Sequence, residues 1–334
     1  MKKIFYYLII FYLFSSCNKS PNIYSNNIKI FSFHSPITLS YDTIFQMPIG
    51  FEDIYIIDSL LLYITNQPNK LFQIYSGNKK IASFGTKGKG PNEFLSISYN
   101  GQFSKSGNDI IFWINNIMKK ELNAINLSQS IEKNTICISQ KIRLPQITNN
   151  SIILSDSTIF LTIEDYNTNT ISNIFYNHLT QKQKIQSLYQ PIKQDLQQTY
   201  GSIWEYNPYK KCLVTAMPSI NQINFLYWEN NRKYALTSDN LKNNTIESIN
   251  QRPQNTTPYY YGRITTNSQY IYTLHSEKQK GKKAISVFDW EGGLIKTLYA
   301  PENLSGIRVD PKNHYLYGFI YETEKIYKYK LSQL

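Results

Sequence analysis

Three of the chain's 14 glycines fall within six residues, in the segment Phe84-Gly85-Thr86-Lys87-Gly88-Lys89-Gly90-Pro91-Asn92-Glu93-Phe94. Glycine-rich loops can cradle phosphate, so the spacing is the test. A phosphate-binding loop needs Lys and then Ser or Thr after the last glycine, where Pro91 and Asn92 stand; a dinucleotide loop needs glycine at Glu93. Both chemistries fail on spacing. The glycines then read as structural, with Gly85, Gly88 and Gly90 permitting positive φ where the chain leaves one sheet and crosses to the next. Pro91 fixes the exit and Phe94 supplies a ring to pack between the two sheets.

The other residues able to do chemistry are scattered. His34, His178, His275 and His314 lie far apart, and no HxxxH, CxxC or calcium-loop pattern occurs, so no metal site and no cofactor is expected. Ser202, in YGSIW, lacks the second glycine of a nucleophile elbow. Residues 104–113 (SKSGNDIIFW) carry only a faint likeness to the Asp-box of sialidases, with Asp and Gly misplaced. What remains is a set suited to binding: Glu52 with Asp53 beside it, Glu93, Tyr200, Trp204, Tyr260, Tyr261, Arg263 and Arg308. Aromatic rings there can stack on a sugar or grip a peptide, and arginine can clamp a carboxylate. Tyr and Trp are equally good strand residues that pack in cores. The set matters only if the fold brings its members to one place.

The elements that must do so recur. From residue 51 onward, short β-rich runs alternate with polar turns, and no 3.6-residue apolar period persists, so helix content is expected to be small. A polar turn holding Asp, Asn or Ser followed by an apolar-aromatic strand appears six times. Aligned on Leu62, Ile111, Ile159, Leu213, Ile271 and Leu316, the copies are spaced by 49, 48, 54, 58 and 45 residues. Six units of that length, each with about four strands, predict an all-β, single six-bladed β-propeller. In the last unit, residues 306–309, 315–321 and 325–331 read as its first three strands. The missing outer strand is assigned to the N-terminal residues 28–39, which would close the ring and leave no open edge there. Binding is then expected at the channel mouth, where entries to the inner strands converge.

The motif FGTKGKGPNEF after a hairpin, and the ending DPKNHYLYGFIYETEKIYKYKL, resemble the six-bladed TolB-like and NHL-like propeller lipoproteins of Bacteroidetes. The resemblance spans residues 51–334 and is weakest over 135–250. It implies export and a propeller fold, with little activity to carry over.

The N-terminus is similar to a bacterial lipoprotein signal: Lys2 and Lys3, the apolar residues 4–14, Ser15-Ser16, then Cys17. Eleven apolar residues rise only about 16 Å as a helix, short of a membrane span. The resemblance implies cleavage after residue 16 and lipid on Cys17. Expected organisation is a signal peptide over 1–16, a lipid-anchored tether over 17–27 and the propeller over 28–334.

Loss of the two signal lysines lowers the formal net charge from +12 to +10. The remaining lysines are spread evenly, singly or in pairs, which excludes a nucleic-acid stripe. With Cys17 used as anchor, Cys137 and Cys212 are expected to be buried thiols, although an oxidising compartment would permit one bridge between them. The composite expectation is an exported, monomeric propeller in the cell envelope, in the outer membrane facing the periplasm or the cell surface. It would bind a protein, peptide or glycan without catalysis. The alternatives are a propeller enzyme of lyase, lactonase or quinone-dehydrogenase type, and a structural subunit of an envelope complex.

Overall fold

The second strand of each repeat is apolar without alternation because both of its faces are buried, each against a different neighbour. In the computed structural model, which describes residues 22–99, 101–165, 170–190, 203–238, 244–251, 260–276 and 283–331, these runs are Leu60–Thr65, Asp109–Asn116, Thr158–Asp165, Cys212–Ala216, Tyr270–Ser276 and Tyr315–Ile320. Each contains one of the six residues on which the repeat aligns. Consecutive side chains along them serve opposite seams: Leu61 and Tyr63 pack toward the last blade, Leu62 and Ile64 toward the second. Six apolar clusters result, one in each seam between adjacent blades.

The blades are antiparallel sheets in sequence order around one axis. Their inner strands are Phe51–Ile57, a broken strand of Ile97–Ser98 and Phe103–Ser106, Asn150–Ile153, Trp204–Asn207, Tyr261–Thr266 and Gly306–Val309. The polar turn after the inner strand is built the same way in four blades. The side chains of Ser155, Asn207, Asn267 and Asp310 each accept hydrogen bonds from backbone N–H groups two to five residues on. Such Asx and Ser turns explain why Asp, Asn and Ser recur there. Among the described residues, helix is confined to a 3-10 turn at Ile117–Lys119 and two short helices, Leu127–Lys133 and Ile246–Asn250.

An N-terminal strand closes the last blade, but it is Tyr41–Gln46, antiparallel to Lys325–Lys330, and not the 28–39 segment. That segment instead supplies fifth strands, pairing in parallel: Ile28–Ile30 on the outer edge of blade 4 and Ile37–Thr38 on that of blade 5. The N-terminal chain therefore runs as a belt along blades 4, 5 and 6. The packed region also begins earlier than expected. Asn22 bridges to Thr245, while Ile23 and Tyr24 are buried in the seam between blades 3 and 4, and the Tyr24 hydroxyl donates to the Phe225 carbonyl at 2.9 Å. Burial of these two apolar side chains makes residues 22–27 part of the propeller rather than tether. Cys17 and the signal segment lie outside the described residues. No helix of the described residues is long and apolar enough to cross a membrane.

The glycine-rich loop connects the outer strand of blade 1, Lys79–Phe84, to the inner strand of blade 2, as its composition predicts. Of its three glycines only Gly85 adopts the left-handed conformation, at φ 89°. Gly88 and Gly90 are needed for close approach: a Cβ on either would meet the Glu93 side chain within 3 Å. The loop spends its own polar groups. The Glu93 carboxylate accepts from Gly90 N at 2.7 Å, Gly88 N donates to Phe94 O, and Lys119 reaches from blade 2 to the carbonyls of Gly90 and Glu93. Phe94 is buried against Phe72 in the seam between blades 1 and 2.

Candidate functional site in the propeller channel

Inner-strand side chains meet on the axis, and four of them are charged. Asp53 comes from blade 1, Glu205 from blade 4, Arg263 from blade 5 and Arg308 from blade 6. Arg308 donates to both Asp53 oxygens, Nη2 to Oδ2 at 2.6 Å and Nε to Oδ1 at 3.2 Å, and its Nη1 reaches Glu205 Oε1 at 3.2 Å. Arg263 Nη2 pairs with Asp53 Oδ2 from the other side. The Asp53 side chain is fully buried, and the three partners are 5–18% exposed. The arrangement is an ionic plug across the channel.

Neighbouring rings hold the plug in place. Tyr55 Oη accepts from Arg308 Nη2 at 2.9 Å, and the guanidinium lies 4.5 Å from the Tyr55 ring centroid. Tyr55 can reach the axis because Gly101, at φ 73°, faces it: a Cβ there would stand 2.3 Å from the ring. The inner strand of blade 2 is broken at that point.

The electrostatics separate the two carboxylates. Burial acts to raise the Asp53 carboxyl, but Arg263 and Arg308 outweigh it and hold the group below its ordinary value. Burial dominates at Glu205 and pushes its carboxyl up to about 7, against the opposing pull of Arg308 and Arg263. Asp53 is thus a fixed charge, while Glu205 titrates near neutrality.

The plug divides two cavities. The one at the entries to the inner strands has a volume of about 550 Å³ and includes Tyr99, Trp113, Asn115, Asn150, Tyr261 and Arg263 in its wall, along with an apolar side formed by Ile97, Leu122 and Ile264. Among the described residues, Arg263 is the one charged member of that wall. Behind the surface of that wall, Asn115 Oδ1, Asn150 Nδ2 and Arg263 Nε are buried without a partner among the described residues. The opposite cavity, about 440 Å³, has Glu205 and Asp156 as its charged residues. Trp113 borders both.

Of the residues singled out from sequence, Arg263 and Tyr261 line the entry cavity, and the Tyr261 hydroxyl donates to Asn221 Oδ1 at 2.8 Å. Glu52 stands behind that wall, accepting from the Tyr99 hydroxyl at 3.4 Å. Arg308 is internal to the plug. Trp204 is buried in the seam between blades 3 and 4, 5.5 Å from Phe160, and Tyr260 in the seam between blades 4 and 5. Glu93 is committed to the glycine-rich loop. Tyr200 lies outside the described residues. Sequence reasoning noted Asp53 beside Glu52 but missed Glu205, Tyr99, Trp113, Asn115 and Asn150. Glu205 had a readable signal: it pairs with Val214 as Arg308 pairs with Tyr317, so the two share one register in the repeat. Among the described residues no group of three or more His, Cys, Asp or Glu is placed to hold a metal ion.

Six antiparallel blades, the last closed by an N-terminal strand, around a channel with a central plug define a β-propeller. The chain belongs to the family described as TolB-like 6-blade propeller-like, whose model matches residues 32–312. No protein of curated function matches the sequence. Among solved structures it is similar to a DUF4221 family member from Bacteroides vulgatus, with 14% identity, TM-score 0.56, and coverage of 87% of this chain and 97% of that one. It is also similar to a protein from Bacteroides fragilis described as a candidate exported protein, with 12% identity, TM-score 0.53, and coverage of 90% and 98%. At these identities the likeness shows the fold alone.

Proposed function

We propose that this protein is an exported, lipid-anchored binding module whose entry cavity recognises the carboxylate end of a peptide or protein in the cell envelope. The observation that carries the reading is Arg263, which among the described residues is the one charged member of a cavity wall otherwise made of Tyr99, Trp113, Tyr261, amides and apolar side chains. The sign of the charge selects a carboxylate, which an arginine binds well. The apolar wall of Ile97, Leu122 and Ile264 suits a hydrophobic terminal side chain better than the hydroxyl-covered face of a sugar.

Binding is favoured over catalysis because both channel carboxylates are held by guanidinium groups, leaving neither poised beside a nucleophile. Anchoring through Cys17 rests on the signal pattern of residues 1–17. Cys17→Ala should release the protein from the membrane fraction, and continued retention would exclude lipid as the sole anchor. At the cavity, Arg263→Gln should weaken binding of a peptide ending in leucine with a free carboxylate, and unchanged affinity would remove the cavity from the proposal.

A further inference from the structure

We infer that the opposite mouth of the channel is a second, separate site, which takes an organic cation, an alkylammonium or guanidinium group, against Glu205. The cavity there, about 440 Å³, is bordered by two carboxylates, Glu205 at the plug and Asp156 from the turn of blade 3, and, among the described residues, by no Lys, Arg or His. Aromatic residues supply the rest: Phe103, Trp113 and Tyr206 in the wall, and Tyr209, 84% exposed, at the rim. Carboxylate plus aromatic surface is the combination that holds organic cations, the charge by ion pairing and the flanking methylenes by ring contact.

Glu205 is prepared for this role by the plug. Arg308 bonds its Oε1, which fixes the carboxylate, while the same guanidinium is committed to both Asp53 oxygens and to Tyr55. The side chain is 11% exposed and borders the cavity, so an arriving cation completes a pair that Arg308 only half satisfies. The exposed ring of Tyr209 has no structural task of its own. Its backbone N–H is held by Asn207 Oδ1 at 2.9 Å, which sets the turn and presents the side chain outward.

The test uses the full-length protein and three probes in calorimetric titration: agmatine, the capped peptide acetyl-Gly-Arg-Gly-amide, and its citrulline counterpart. Saturable binding of the two cations below about 10 mM, absent for citrulline, is the expected result. Equal affinity of agmatine and the peptide assigns a small-molecule cation, and tighter binding of the peptide assigns a polypeptide side chain. Tyr209→Ala and Asp156→Asn, both at exposed positions that leave the core intact, should each weaken binding severalfold, and Glu205→Gln by about tenfold or more. No saturable heat with either cation, or binding indifferent to both Tyr209→Ala and Glu205→Gln, would overturn the assignment. Because the probes carry no carboxylate, the outcome is independent of the entry cavity.

Discussion

Arg308 clasps Asp53 through two hydrogen bonds although the residues are 255 positions apart, one in the first blade and the other in the last. The ring is therefore closed twice: at the rim by Tyr41–Gln46 pairing with Lys325–Lys330, and on the axis by this ion pair. Rim closure depends on backbone pairing and is indifferent to most side chains. Axial closure depends on two particular residues.

Breaking the axial latch should be costly because it strands charge in the interior. Asp53→Asn leaves the guanidinium groups of Arg263 and Arg308 without their shared partner, and a loss of about 3–5 kcal/mol is expected in urea unfolding. Arg263→Gln should cost less, since its side chain is 18% exposed and Arg308 still holds Asp53. Equal, small losses in both variants would show that the latch does not secure the ring.

Two buried groups give the protein opposing pH responses. The Glu205 carboxyl is raised to about 7 from an ordinary 4.5, so the folded state binds the proton more tightly. Its contribution is present in full below pH 4.5 and is lost as pH rises toward 7, about 3 kcal/mol in all. Burial lowers the His275 imidazole to about 4 from 6.5, where it stacks on Phe33 at 4.8 Å. There the unfolded state binds the proton more tightly, so stability falls as pH drops from 6.5 toward 4, by a similar amount. The two offset each other between about pH 4.5 and 6.5. Thermal unfolding of Glu205→Gln should reveal a protein that loses stability on acidification, and His275→Asn one that gains it. Parallel pH profiles for the two variants and the parent would contradict both assignments.

In the glycine-rich loop the three glycines should differ in sensitivity. Gly85→Ala places a Cβ 2.7 Å from the buried Phe72 ring at φ 89°, so both steric space and backbone oppose it. Gly88→Ala meets only the far end of the Glu93 side chain and forfeits its hydrogen bond to Gly90 N, worth about 1.5–3 kcal/mol for a charged acceptor. Chemical denaturation should rank Gly85→Ala as the more damaging change. The reverse order would mean that Glu93, not Gly85, organises the crossing.

Much of this architecture was readable because blade formation leaves a periodic trace. Strands buried on both faces give runs such as LLLYI and CLVTA, and turns capped by Asn207, Asn267 or Asp310 give polar punctuation shortly before Leu213, Ile271 and Leu316. The belt was misread because Ile28–Ile30 and Ile37–Thr38 are as strand-like as Tyr41–Gln46, and only pairing partners across the ring distinguish them. For the site, charge in an inner strand was informative, as at Asp53, Arg263 and Arg308. Trp113 and Asn115 were not, because they lie in the second strand of blade 2, Trp113 opposite the break in the inner strand near Gly101 and Asn115 paired with Ser98 just before it. A single side chain's type does not announce such a gap.

The measurement that bears most directly on the proposed function is a paired titration of the full-length protein with acetyl-Ala-Leu carrying either a free carboxylate or a carboxamide. The account predicts that the acid binds at least about tenfold more tightly, and that Arg263→Gln abolishes the difference while leaving weak amide binding in place. Equal affinity for acid and amide in the parent protein, or no binding of either at about 10 mM, would contradict carboxylate recognition in the entry cavity.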